Sequence, residues 1–180
     1  MEWVNVTAPL LATAAWLAGC AGMMHSGPMA MAKLEPTRGN ATAGMAMFHQ
    51  RGEQVMVHVK VEGLKPGQEH GFHVHEKGDC SSGDGMSTGG HFNPTGKPHG
   101  PPDTAERHAG DLPSLKADAQ GRVDVKFTLG GISVGSGAAD VVGKGLIVHA
   151  MPDDYRTQPT GNAGARLACA VIARHTPAGY

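Results

Sequence analysis

The sequence predicts an all-β protein, an antiparallel barrel or sandwich of about eight short strands carrying long irregular loops. Three observations lead there. Apolar residues recur at every second position in separate runs, as in QVMVHVKVEGL, where Val55, Val57, Val59 and Val61 alternate with Met56, His58 and Lys60. Twenty-seven Gly and twelve Pro, with only 4% aromatic residues, favour turns over helices. Between Glu76 and about Lys116 the alternation dissolves into Gly, Pro, Ser, Asp and His, and a stretch that long inside a compact domain is either disordered or pinned by something other than a core.

Three regions follow from the chain order. Residues 1–19 carry the apolar run of TAPLLATAAWLAGC, of signal-peptide size and too short to span a bilayer comfortably. Its end, Leu17-Ala18-Gly19-Cys20, resembles a bacterial lipoprotein lipobox, which predicts acylation of Cys20 after cleavage; no Lys or Arg precedes the run, and an ordinary cleaved signal is the alternative. Residues 20–28 read as a small, Met-rich tether; with ten Met in the chain the plainer reading is a spacer with Met29 and Met31 starting the first strand, and the alternative is that Met23, Met24, His25, Met29 and Met31 offer soft ligands that capture cuprous copper. Residues 29–180 form the folded domain. Its strands are predicted at MAMAKLE, AGMAMFHQ, QVMVHVKVEGL, HGFHVHE, GRVDVKFTL, ADVV, GLIVHA and RLACAVIAR. In HGFHVHE, Phe72 and Val74 face one side of the strand, and His73 and His75 the other.

Charge excludes one class of partner. Fifteen Lys and Arg oppose sixteen Asp and Glu, so no basic excess points to nucleic acid. With Cys20 assigned to lipid, Cys80 and Cys169 remain as an even pair in a chain bound for an oxidising compartment, the setting in which a disulfide forms.

The histidines supply the pin. Eleven His is the anomalous count. His73 and His75, two apart on a strand, project about 6.5–7 Å from each other and can grip one ion. His91, His99, His108 and Asp111 follow in the irregular stretch, and His149 ends GLIVH. Imidazole suits copper and zinc, and three His with one Asp make a tetrahedral zinc set while four His make a tetragonal copper set. Those two sets need eight positions, and six His with one Asp fill them if one imidazole bridges both metals through its two nitrogens.

The stretches HGFHVHE, GGHFNPTGKPHG, ERHAGDLPSL, GLIVHA and PTGNAGARLACAVI, in this order, resemble those of bacterial periplasmic Cu,Zn superoxide dismutases over about residue 29 to the C-terminus. The resemblance implies an eight-stranded Greek-key β-barrel with its site outside the barrel wall under two long loops. It assigns copper to His73, His75, His91 and His149, and zinc to His91, His99, His108 and Asp111, with His91 as the bridge. It pairs Cys80 with Cys169. Arg166 matches the arginine that holds the anionic substrate beside copper, and Asp153 matches a carboxylate that orients ligands of both metals, with Asp154 as the competing candidate. The implied reaction converts superoxide to dioxygen and hydrogen peroxide by alternate reduction and reoxidation of copper, with Arg166 and His91 as the catalytic side chains. An envelope copper/zinc-binding module without that activity, or a silent dismutase-like domain, is the rival reading. The expected location is the periplasm, lipid-anchored, at the outer membrane where one exists because Ala21 rather than Asp follows Cys20. A homodimer is left open, and His25, His49, His58, His70 and His175 read as ordinary polar or surface residues.

Overall fold

The computed structural model describes Met1 and residues 27–176. Residues 2–19 of the leader, Cys20, and Met23, Met24 and His25 of the tether lie outside the described residues. The described strands are β1 (Met29–Pro36), β2 (Ala43–Arg51), β3 (Gln54–Glu62), β4 (Glu69–His70), β5 (Phe72–His75), β6 (Leu115–Lys116), β7 (Val123–Leu129), β8 (Gly145–His149), β9 (Arg166–Val171) and β10 (Ala173–His175). The only helical piece among the described residues is a 3₁₀ turn at Met86–Thr88.

Ten segments make eight strands, because β4 runs into β5 across Gly71 and β9 into β10 across Ile172. The antiparallel path runs β5-β8-β9-β1-β2-β3-β7, with β10 continuing the pairing to β1. The β4–β6 pair joins the two ends of that path, since β4 leads into β5 and β6 turns through Asp118–Arg122 into β7. The sheet is thereby curled into a barrel. From β3 the chain passes over to β4–β5, returns through β6 and β7 to pair with β3, then crosses again to β8, which is a Greek-key order.

One predicted strand is not there. ADVV forms only an isolated bridge from Ser133 to Asp140, because the Asp140 carboxylate accepts from the Gly135 and Val142 backbone N–H groups and holds a turn instead. The eighth strand is β6, whose two residues carry no period to read.

Alternation builds the core as the sequence predicts. Val55, Val57, Val59 and Val61 of β3 are buried, as are Ala30, Ala32 and Leu34 of β1, Ala46 and Phe48 of β2, and Phe72 and Val74 of β5. Each fully buried Val, Leu or Phe contributes about 1.5–3 kcal/mol relative to exposure. Strands β5 and β8 are buried on both faces. Leu146 and Val148 enter the core, while Ile147 and His149 project to the opposite face under the loops.

Candidate metal centre

The irregular stretch after β5 is tied back onto it by backbone hydrogen bonds. Val74 N–H donates to Gly110 O at 2.9 Å, Phe92 N–H to Val74 O at 2.8 Å, and Glu76 N–H to Gly90 O at 3.0 Å. Gly110 is needed there, since a Cβ would run into the Val74 carbonyl. These bonds set His91 beside His75 and Asp111 beside His73. A second loop, after β8, brings Asp153, and β9 places Arg166 opposite His149. A disulfide between Cys80 and Cys169, 89 residues apart, fastens the first loop to β9.

Two buried clusters result. His73, His75, His91 and His149 form one, and His91, His99, His108 and Asp111 the other, with the ligand atoms of each cluster all within 4.8 Å of one another. In the second, Asp111 Oδ1 lies 2.8 Å from His91 Nδ1, 3.0 Å from His99 Nδ1 and 3.3 Å from His108 Nδ1, and the His91 and His108 Nδ1 atoms are 3.5 Å apart. Four ligands about 2.0 Å from a tetrahedral zinc sit about 3.3 Å from each other. The donor set therefore fits such an ion.

The other ring nitrogens decide which atom each imidazole offers. His75 Nδ1–H donates to Gly89 O at 2.9 Å and His149 Nδ1–H to Gly164 O at 3.2 Å, leaving both Nε2 atoms buried without a hydrogen-bond partner among the described residues. His73 Nε2–H donates to Asp153 Oδ2 at 2.7 Å, leaving Nδ1 in the same condition. His91 has Nδ1 in the Asp111 set, which leaves its partnerless Nε2 for the four-histidine set. Orphaned buried nitrogens are costly, and a cation between them removes the cost.

Burial disfavours protons on the lone pairs of His73, His75 and His149. Burial holds His75 and His149 well below the ordinary imidazole value, and His91 opposes their protonation further. Burial likewise lowers His73 to about 4, against the opposing hydrogen bond to Asp153. At His99, burial also pulls down, but hydrogen bonds to Asp111 and Asp153 outweigh it and raise the ring to about 9. The carboxyls of Asp111 and Asp153 pay for burial yet stay well below the usual carboxylate range because His91, His73 and His99 bond to them.

Asp153 connects the clusters. Its Oδ2 takes His73 and its Oδ1 takes His99 Nε2–H at 2.9 Å, while Tyr155 N–H adds 2.7 Å to Oδ1. Asp154 instead accepts from Arg156 and Thr157 in an exposed turn. Arg166 donates through Nη1 to Gly85 O and Thr88 Oγ1, both at 2.6 Å, and through Nη2 to Gly89 O at 2.8 Å.

The geometry also brings in residues that the sequence did not single out. Gln158 clamps His99, accepting from its N–H at 2.8 Å and donating to its carbonyl at 2.9 Å. The Tyr155 ring lies nearly parallel to His99, and its hydroxyl is held by Ser114. His70 is no surface residue: it is 1% exposed, and its Nδ1–H donates to the His149 carbonyl at 2.8 Å. Its parity with Phe72 and Val74 was the available signal, because positions i, i+2 and i+4 share one face of a strand.

Comparison with known proteins agrees with this geometry. The family model described as copper/zinc superoxide dismutase (SODC) matches residues 14–172. The chain belongs to the copper/zinc superoxide dismutase family. It is 45% identical over 127 residues to the extracellular superoxide dismutase [Cu-Zn] of Drosophila melanogaster, covering 67% of this chain and 68% of that one. It is 38% identical over 138 residues to the superoxide dismutase-like protein YojM of Bacillus subtilis (strain 168), covering 74% and 70%. To superoxide dismutase [Cu-Zn] 2 of Aquifex aeolicus (strain VF5) it is 37% identical over 147 residues, covering 79% and 85%. A crystal structure of the clock protein EA4 superposes with a TM-score of 0.75 at 39% identity, over 82% of this chain and 95% of that one. Within this dismutase family, then, the chain carries two buried clusters with the chemistry to hold copper and zinc.

Proposed function

We propose that the protein is a superoxide dismutase that converts superoxide to dioxygen and hydrogen peroxide, with copper held by His73, His75, His91 and His149 and zinc by His91, His99, His108 and Asp111. The observation that carries this reading is the membership of His91 in both clusters. Copper when bound supplies one-electron redox chemistry, and zinc supplies a fixed positive charge. His91 Nε2, buried and partnerless among the described residues, would face the copper and, whenever it is not bound to the metal, is the atom placed to take up a proton and pass it on within the same turnover. Asp153 fixes the ring orientations of His73 and His99, one from each set. Arg166, half-buried and fastened by three acceptors, presents positive charge beside His149 for a small anion, and focused charge of that kind raises on-rates by about 10–10³.

The rival is a copper/zinc-binding module without turnover. A metal buffer has no need of an anion-attracting cation at the copper set, which favours the enzyme. The deciding experiment is superoxide consumption by protein loaded with both metals, with copper and zinc measured in the same sample. Rapid consumption at one copper and one zinc per chain is expected; full occupancy with no consumption above free buffer would leave the binding module.

We infer secretion to an oxidising compartment, a reading supported by the Cys80–Cys169 disulfide and by the extracellular relative. No helix among the described residues is long and apolar enough to cross a membrane. Anchoring is assigned to acylated Cys20, with the domain in the periplasm. An intact-mass measurement giving an unmodified Cys20, or a mature N-terminus beyond it, would overturn the anchor.

A further inference from the structure

Strand pairing puts an unusual set of side chains on the outer face of the barrel, away from both histidine clusters. In β1 to β3 the inward positions are the buried Ala, Val, Leu and Phe of the core, so the alternate positions point outward. Register aligns Met29 with His49 and His49 with Met56, in a row across three adjacent strands. The next row is Met31, Met47 and His58. Opposed residues in antiparallel strands have Cβ atoms about 4.5–5.5 Å apart, and residues two apart on one strand are separated by about 6.5–7 Å. Met29, Met47, Met56 and Arg51 are therefore the positions next to His49 on this face, and the Arg51 side chain is exposed while the three methionines carry thioethers.

An aliphatic covering for the sheet would need no imidazole. Yet His49 Nε2 is enclosed here without a hydrogen-bond partner among the described residues. Leaving a buried nitrogen unsatisfied is destabilising. His58, by contrast, is already engaged by Asp124 at 2.7 Å. An enclosed imidazole nitrogen with three thioether side chains at neighbouring positions of the sheet offers a soft donor set, matched to a monovalent d¹⁰ cation and poorly matched to zinc or calcium.

We propose that His49 Nε2 with the thioether sulfurs of Met29, Met47 and Met56 forms a cuprous-ion site on the outer face of β1–β2–β3, separate from the two buried histidine clusters. The site holds copper as Cu(I) by soft coordination and carries out no redox step. It does not depend on the dismutase reading, because none of its residues belongs to either cluster.

The test uses the full chain already loaded with one copper and one zinc, with methionine methyl groups labelled with ¹³C. Silver(I), a redox-inert stand-in for Cu(I), is added to one equivalent. The methyl resonances of Met29, Met47 and Met56 should shift while those of Met86 and Met151 stay, and one equivalent of zinc(II) should move none of them. Competition with a chromophoric Cu(I) chelator should give one extra Cu(I) per chain, with affinity at least ten-fold weaker in a His49→Gln/Met47→Leu/Met56→Leu variant. Silver shifts confined to Met23 and Met24, no shift at all, an equal response to zinc, or unchanged Cu(I) affinity in the variant would each overturn the site. The methyl measurement is made on the unaltered protein, so it stands even if the variant folds poorly.

Discussion

His73 and Asp153 are joined at 2.7 Å with both side chains fully enclosed. The same carboxylate reaches His99 with its other oxygen, so one side chain orients an imidazole of each cluster. Asp153→Ala should therefore weaken copper and zinc binding together. Loss of such an outer partner costs about 10–100-fold in metal affinity. Copper and zinc affinities measured separately check this; a change in one metal alone would mean that Asp153 does not couple the sets.

Gly161 should be as sensitive as a ligand although it binds nothing. Its φ is +64°, and a Cβ there would overlap the Asp153 carboxylate and press on His99 Nε2. Gly161→Ala must either push Asp153 off His99 or distort the loop, on top of the strain of a left-handed alanine. The expected result is lower zinc retention on dialysis and a lower Tm. A variant matching the parent in both would show that the loop can absorb the methyl group.

How far the sequence foretold this arrangement depends on the range of each contact. The alternation of Val55 to Val61 and of Phe72 to His75 is local, and it yielded both the core face and the histidine face. The short β6 has no such period, while ADVV has one that the Asp140 side chain overrides by bonding the backbone of its own turn. Gln158 reaches His99 across 59 residues through backbone groups, a contact with no residue-type signature. His49 shows the same limit from the other side: only the β1–β2–β3 register reveals that methionines of three strands occupy positions next to it.

The Cys80–Cys169 bond closes an 89-residue span, for which the chain-entropy estimate gives about 4.5 kcal/mol. Its removal should do more than lower stability. Residues 85–89 follow Cys80 closely and supply every acceptor that holds Arg166. Cys80→Ser/Cys169→Ser should thus lose about 2–5 kcal/mol in denaturant unfolding and also slow superoxide consumption at full metal loading. An undiminished rate in a destabilised variant would confine the bond to stability.

His91→Ala removes a member of both clusters at once. Copper spectra and zinc affinity should both change, whereas His108→Ala, which touches the Asp111 set only, should leave the copper spectrum close to the parent's. If both variants altered zinc alone, His91 would not bridge.

Arg166 and His75 meet on one acceptor, the carbonyl oxygen of Gly89, which lies 2.8 Å from Arg166 Nη2 and 2.9 Å from His75 Nδ1. The cation is thereby held at a fixed place relative to the four-histidine set, as a small anion requires. Arg166→Ala should slow turnover. Because the Debye length is about 10 Å at 0.1 M salt, the parent's rate should fall as salt rises, and the variant's should fall less steeply. Arg166→Lys keeps the charge but cannot make the same fan of hydrogen bonds, so it should recover the salt slope better than the absolute rate. Metal content measured in every sample separates steering from collapse of the site: a salt profile identical in the parent and in Arg166→Ala, at equal copper occupancy, would remove Arg166 from the steering role.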